Sequence, residues 1–286
     1  MSRSADLPRR CRWPVTAVVL AVVVLAGTAC TSTDDTSSSA EASTAPSTTI
    51  TQGLLAGADR MEGRYAHYDV VAYEGDDMKT LIISFGFTDL SIIDNELVAT
   101  ESFCYSEHRS DQPIEVEFSD AATQAIVPES IAVELTEADG RFRFFRPPTP
   151  TGIGIRLADP ANDPLPTDPN DPRIADDDND GKPGVTARII VSPELTGEIY
   201  LARREIFAYD VTEQPDGSLV GTVIDESEQL VVGASDDIFL TQAKWVQHPD
   251  PALSPIILIP VDQSWDCARL LTERPTLFPP TPVVNW

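Results

Sequence analysis

The chain predicts an all-β fold, an antiparallel barrel or sandwich of about ten or more strands. Three observations carry this. From residue 64 onward the apolar pattern is mostly of period two, in short runs. Tight-turn signals separate the runs, notably Ala138-Asp139-Gly140 and Gln214-Pro215-Asp216-Gly217. The 24 prolines suit turns and sheet edges and discourage long helices.

Taken in order, residues 64–73 are rich in aromatic and β-branched side chains and read as the first strand, with 80–87 and 90–104 following. Only residues 120–126 read as a helix, and a short one. Residues 131–135 and 142–145 flank the Ala138–Gly140 turn as a hairpin. Residues 185–191, 197–209 and 218–224 continue the series, and 238–245 and 256–261 complete it. In 197–209 one face would carry Ile199, Leu201, Arg203, Glu205, Phe207 and Tyr209, and the other Tyr200, Ala202, Arg204, Ile206 and Ala208. Both faces are mixed, so this strand either borders a partly polar lumen or lies at an edge.

The N-terminal residues read as an address. Arg3, Arg9, Arg10 and Arg12 precede an apolar run over 15–26 that is short for a membrane span but suits a signal peptide. The run ends in Leu25-Ala26-Gly27-Thr28-Ala29-Cys30, which resembles a bacterial lipoprotein cleavage site, with Gly27 where Leu is commonest. The resemblance implies a signal peptide over 1–29, lipid on Cys30 and a place in the bacterial cell envelope, anchored on the exported side of the membrane. Removing 1–29, with its four Arg and one Asp, takes the 286-residue chain from a net charge of −26 to −29. Such a domain would be repelled by an anionic bilayer, so membrane contact is expected through the lipid alone. The Ser/Thr-rich stretch after Cys30, to about residue 55, offers little to bury and reads as a tether. A single β-rich domain over 56–286 is expected to follow.

With Cys11 in the signal and Cys30 lipidated, Cys104 and Cys267 are the remaining pair, and an exported chain pairs them most simply as a disulfide. A nucleophilic Cys104 beside His108 is the functional rival, disfavoured because an oxidising compartment consumes free reactive thiols.

The acidic loop carries the clearest chemical signal. From Asp159 to Asp180 it holds eight Asp against one basic residue, Arg173. Four Asp-Pro pairs begin at Asp159, Asp163, Asp168 and Asp171, which favours a shaped loop built on Asx turns. Asp176, Asp178 and Asp180, followed by Gly181, have D-x-D-x-D-G spacing. Carboxylates at alternate positions of a tight turn converge on one hard cation, and the Lys182 carbonyl would add an oxygen. These residues resemble the calcium loops of EF-hands and of thrombospondin type 3 repeats, which implies Ca2+ as cofactor. Ala187 stands where an EF-hand has its bidentate Glu, and strands rather than helices flank the loop, so further ligands would come from Asp171, Asp177, water or another loop. The longer string through Thr186 is similar to loops of uncharacterised secreted β-rich bacterial proteins.

Among function classes, nucleic-acid binding is excluded by the scarcity of clustered Lys and Arg. Three His and four Cys exclude a Cys/His-rich zinc array. There is no nucleophile elbow, phosphate loop or H-E-x-x-H. His67 with Asp69, and Glu115 with Glu117, sit two apart on one strand face, where solvent-facing alternation is the expected explanation. Residues 141–146 read as Arg outward and Phe inward. The leading expectation is a lipid-anchored β-domain with a calcium-stabilised loop and a structural or interaction role, without catalysis. The alternative is a lipocalin-like barrel for a small apolar ligand. A third is an envelope hydrolase using carboxylates. Expected partners are the membrane, through Cys30, and a protein or small apolar ligand.

Overall fold

A computed structural model describes residues 52–75, 78–240 and 244–286. The expected signal peptide, Cys30 and the tether up to residue 51 lie outside these residues. The described residues begin with a helix, α1 (Gln52–Met61), whose first turn falls in the span expected as tether; Leu54 and Leu55 on it pack against the core. Three long strands follow, β1 (Gly63–Glu74), β2 (Lys79–Ile93) and β3 (Glu96–Ser110). The turn between the last two is Asp94-Asn95, both at positive φ (51° and 63°), a hairpin geometry these short polar side chains tolerate without glycine. The expected strand over 90–104 is therefore two strands meeting at a turn. Then come β4 (Glu115–Phe118), the expected short helix α2 (Asp120–Gln124), and β5 (Ile131–Ala132). The hairpin β6 (Glu134–Ala138) and β7 (Arg141–Arg146) turns where expected, and β8 (Thr151–Ile153) leads into the acidic loop.

After the loop run β9 (Val185–Ser192), β10 (Leu195–Glu205), β11 (Phe207–Glu213), β12 (Leu219–Asp225) and β13 (Glu228–Ala234). The expected strand over 238–245 is instead a 3-10 turn at Asp237–Phe239 and, further on, the two-residue β14 (Val246–Gln247). The chain closes with β15 (Pro255–Val261) and a helix, α3 (Cys267–Leu277), that the period-two reading missed.

The fold is all-β and antiparallel. One nearly closed, barrel-like sheet runs β5-β3-β2-β1-β15-β12-β11-β7-β6, with β14 also on β1. A second sheet runs β13-β10-β9-β4, with β8 also on β10. The stretch 197–209 is thus not one strand. It breaks at Ile206, so that β10 lies in the second sheet and β11 in the first.

Burial follows the pleat. On β1, Ala66, Tyr68, Val70 and Ala72 face an outer layer with Leu270 of α3 and Phe278. Tyr68 stacks on Phe278 with ring centroids 5.2 Å apart. The Cys104–Cys267 disulfide, joining residues 163 apart in sequence, pins α3 to β3. In the chain-entropy account a loop of that length restricts the unfolded state by about 5 kcal/mol. On the inner side, Phe103, Phe144, Phe207, Tyr209 and Leu258 belong to one buried cluster.

A buried ion pair spans that core. Arg146 on β7 and Glu101 on β3 have fully buried side chains and meet through two parallel hydrogen bonds of 2.9 and 3.0 Å. Arg146 also donates to the carbonyl of Phe207 at 2.9 Å, and the Tyr209 hydroxyl donates to Glu101 at 2.9 Å. Residues 141–144 therefore alternate Arg outward and Phe inward as expected, but Arg146 does not follow. Arg146 shares the phase of Phe142 and Phe144 and is buried with them, whereas Arg141 and Arg143 are exposed.

Removing one partner leaves an uncompensated buried charge. Glu101→Gln is expected to lower the unfolding free energy by about 3–5 kcal/mol in urea titration. The double variant Glu101→Leu/Arg146→Met is expected to lose less than that. A single variant as stable as wild type would contradict this reading.

Candidate functional site

Between the two sheets lies a cavity of about 840 Å³. One wall comes from β1, β2 and β3, and the opposite wall from β9, β10 and β13. Val185, Ala187, Ile199, Leu201 and Val231 make the second wall apolar. The exposed side chains of Ile238 (63% exposed) and Val246 (70% exposed) also border the space and mark its rim.

The polar part is assembled from β1, β10, the β10–β11 junction and β12. On β1 the odd residues His67, Asp69, Val71 and Tyr73 face the cavity while the even ones face α3. On β10 the odd residues Ile199, Leu201, Arg203 and Glu205 line it. The even residues Tyr200 and Ala202 pack under the acidic loop with Ile155 and Val232, and Arg204 donates to the carbonyls of Pro160 and Asp163 at 3.1 and 2.7 Å. The mixed faces of this strand thus reflect a partly polar lumen on one side and a covering loop on the other.

His67 and Asp69 are buried, at 1% and 7% exposure, and do not alternate toward solvent. The reason is that β1 is central and covered on both faces. Glu115 and Glu117 on the short β4 are exposed as expected. His67 Nε2 is hydrogen-bonded to Asp69 Oδ2 at 2.8 Å, and its Nδ1 to Thr88 Oγ1 at 2.8 Å. A carboxylate–imidazole–hydroxyl chain has the order of a nucleophilic triad. Thr88, however, is wholly buried and does not line the cavity, so its hydroxyl orients the ring rather than meeting a substrate.

On β10, across from β1 and less buried than His67 and Asp69, Arg203 is ion-paired with Glu205 and donates to Gln229 Oε1 at 3.3 Å. Asp225 accepts the Tyr73 hydroxyl at 2.9 Å and the Ser227 hydroxyl at 2.5 Å. Burial pushes the Glu205 carboxyl up; Arg203 opposes this, and Asp225 and Asp69 add to it. Burial also pushes the Tyr73 phenol well up, with Asp225 reinforcing the effect, so Tyr73 remains a proton donor. His108, on another part of the lining, is lowered to about 4 by burial, and its Nδ1 is buried without a partner while Nε2 meets Thr80 Oγ1 at 2.6 Å. Cys104 is in the disulfide and is no nucleophile.

The acidic loop is shaped, as its Asp-Pro pairs predict. Asp163 Oδ2 accepts the amides of Ala158 and Asp159 at 2.9 and 3.0 Å, and Asp168 and Asp171 accept amides two residues on, both at 2.9 Å. Gly154 and Gly184, at φ +67° and +84°, anchor the loop against β10. A Cβ on either would collide with the Leu201 carbonyl.

Side-chain oxygens of Asp176, Asp178 and Asp180 come within 4.8 Å of one another. Asp178 is 9% exposed, its Oδ2 accepts the Thr186 amide at 2.9 Å, and its Oδ1 is buried without a partner. Burial raises the Asp178 carboxyl, and Asp180 and Asp176 push the same way. Lys182 donates its amide to Asp180 Oδ1 at 2.9 Å and its ammonium to Glu198 at 2.6 Å. The two candidate extra ligands are otherwise engaged: Asp177 accepts the Gly154 amide at 2.6 Å and pairs with Arg156, and Asp171 pairs with Arg173.

Comparison with known proteins supplies no relative: no family, curated protein or solved structure matches this chain. No helix among the described residues is long and apolar enough to cross a membrane.

The sequence reading singled out His67 and Asp69 but missed Tyr73, Arg203, Glu205 and Asp225 as one group. The available signal was the unbroken odd phase from Ile199 to Glu205, which carries charge on a face whose other members are apolar.

The lowered His108 pKa has a definite sign. Between about 6.5 and about 4 the unfolded chain holds the proton and the folded chain does not, so stability is complete above that window and falls as pH drops through it. Urea midpoints measured across this range are expected to fall more steeply in wild type than in His108→Gln. Equal slopes would show that His108 is not buried as a neutral ring.

Proposed function

We propose that this chain is a ligand-binding β-domain, carried on lipidated Cys30 at the exported side of a bacterial membrane, that takes a small molecule of mainly apolar character into the cavity between its sheets. The cavity is the observation that supports this. Its volume of about 840 Å³ falls within the range of about 300–1,000 Å³ of small-molecule sites. A ligand would reach the cavity through the rim, where the lining residues Ile238 and Val246 are exposed. Apolar walls favour the ligand.

Catalysis by carboxylates fits less well. Asp69 is held by His67, Glu205 by Arg203, and Asp225 by Tyr73 and Ser227. Groups satisfied by fixed neighbours suit recognition better than proton abstraction, which needs a base free to reach the substrate. Native mass spectrometry of the purified chain is expected to show a co-purifying small molecule. Ser84→Phe, which extends a ring from β2 into the cavity, is expected to remove it while leaving the melting temperature near wild type. A chain that carries no ligand and takes up no apolar probe would overturn the proposal.

A second reading, calcium at Asp176, Asp178 and Asp180, is supported by the partnerless buried Oδ1 of Asp178. A hard cation would satisfy that oxygen and relieve the mutual repulsion of the three carboxylates. With few protein ligands the expected affinity is in the millimolar range. Saturating calcium is expected to raise the melting temperature, by mass action on the folded state, and Asp178→Ala to abolish the rise. Identical melting curves with calcium and with chelator would rule the ion out.

A further inference from the structure

The cavity has chemistry beyond its size. Its charged lining comprises Asp69, Glu205, Asp225 and Glu228 against Arg203 and Lys244. Two of these drop out of the interior balance. Glu228 is ion-paired with Arg204, which lies outside the lining, and Lys244 is exposed beside the rim. Three carboxylates on three different strands then face one guanidinium. His67 adds a positive charge only when protonated, and it is already committed to Asp69 and Thr88. The interior therefore carries an excess of negative charge in either state of the imidazole.

Asp225 and Asp69 both push the Glu205 carboxyl up, so each lies within electrostatic reach of it. An excess of buried like charge is unfavourable in a region of low polarity. It persists where a partner of opposite charge arrives from outside, as buried charges are normally paired. The donors present are already used: Arg203 on Glu205 and Gln229, Tyr73 and Ser227 on Asp225. What this end of the cavity lacks is a cation with hydrogen-bond donors. A small hydrated metal ion would make no use of the apolar wall of Ile199, Leu201 and Val231, whereas an organic cation uses both parts. Trp245, also in the lining, is an aromatic side chain of the kind that attracts an ammonium group, whereas the Phe207 ring already carries the Arg146 guanidinium at 4.4 Å.

Resting on the ligand-binding reading above, we propose that the cavity takes an amphiphilic organic amine, its protonated nitrogen held by Asp225, Glu205 and Asp69 and its apolar body lying along β9, β10 and β13. An anionic amphiphile such as a fatty acid would be repelled from the same end.

Calorimetric titration of the full chain with dodecylammonium, dodecanol and dodecanoate, each below its micelle concentration, tests this. The three probes share one apolar body and differ in head charge. Dodecylammonium is expected to bind at least about ten-fold tighter than dodecanoate, with dodecanol between them. Asp225→Asn and Glu205→Gln, each checked for a wild-type melting curve, are expected to narrow that gap several-fold and to leave dodecanol unchanged. Asp176→Asn, which removes a carboxylate from the exposed loop, controls for attraction to the acidic surface and is expected to leave the gap intact. Three probes binding equally, dodecanoate binding tightest, or a gap lost in Asp176→Asn but kept in both interior variants would overturn the amine while sparing the cavity as a binding site. No binding of any probe would instead overturn the ligand-binding reading on which the inference rests.

Discussion

The pairing of Arg146 with Glu101 is the contact on which the barrel depends. In the order β5-β3-β2-β1-β15-β12-β11-β7-β6, strands β3 and β7 each lie one place from an end. Their side chains nevertheless meet inside the molecule, so the ion pair ties together the two margins of a sheet that has to curl. Its geometry is closely specified: two parallel bonds to Glu101, one to the Phe207 carbonyl, one to Thr149, and the Tyr209 hydroxyl completing the carboxylate. A buried pair of this kind contributes little net stability over apolar replacements, but a mismatched partner would be severely penalised. It therefore favours one closure of the sheet over others.

The cavity follows from that closure and from one break in the chain. At Ile206 the polypeptide leaves the second sheet and enters the first, so β10 and β11 belong to facing walls. The odd residues before the break, Arg203 and Glu205, and those after it, Phe207 and Tyr209, all line the same space. Phe207 and Tyr209 pack beside Arg146 and also border the space that stays open between the sheets. The acidic loop covers the outer face of β10 and holds Arg204 there, so that strand has its apolar and charged residues satisfied on both sides. The loop's carboxylates and the cavity's carboxylates thus approach one strand from opposite faces.

Much of this was legible in the residues. The alternation that marks β1 and β10 as strands also assigns the partners on each face, and it would have buried Arg146 with Phe142 and Phe144 had it been followed without the prior that Arg points outward. Asp94-Asn95 went unread as a turn because neither residue is glycine. Helix α3 carries Pro275 within it and has only Leu270 fully buried, so it lacks an apolar stripe strong enough to register. The cluster of Tyr73, Arg203, Glu205 and Asp225 was legible only in its β10 half, because its members come from three separate strands and meet only in the folded register.

By itself the amino-acid sequence determined the local facts: strand-forming alternation, turn chemistry, the pairing of Cys104 with Cys267 and the spacing of Asp176, Asp178 and Asp180. Each of these rests on neighbours within a few residues, or on counting the cysteines left to pair. The tertiary structure alone decided which face of β1 looks into a cavity, where the stretch 197–209 changes sheets, and that three carboxylates share one interior with a single guanidinium. Those outcomes depend on strand order and register between residues more than a hundred positions apart, such as His67 opposite Leu258, and no local pattern encodes a long-range pairing.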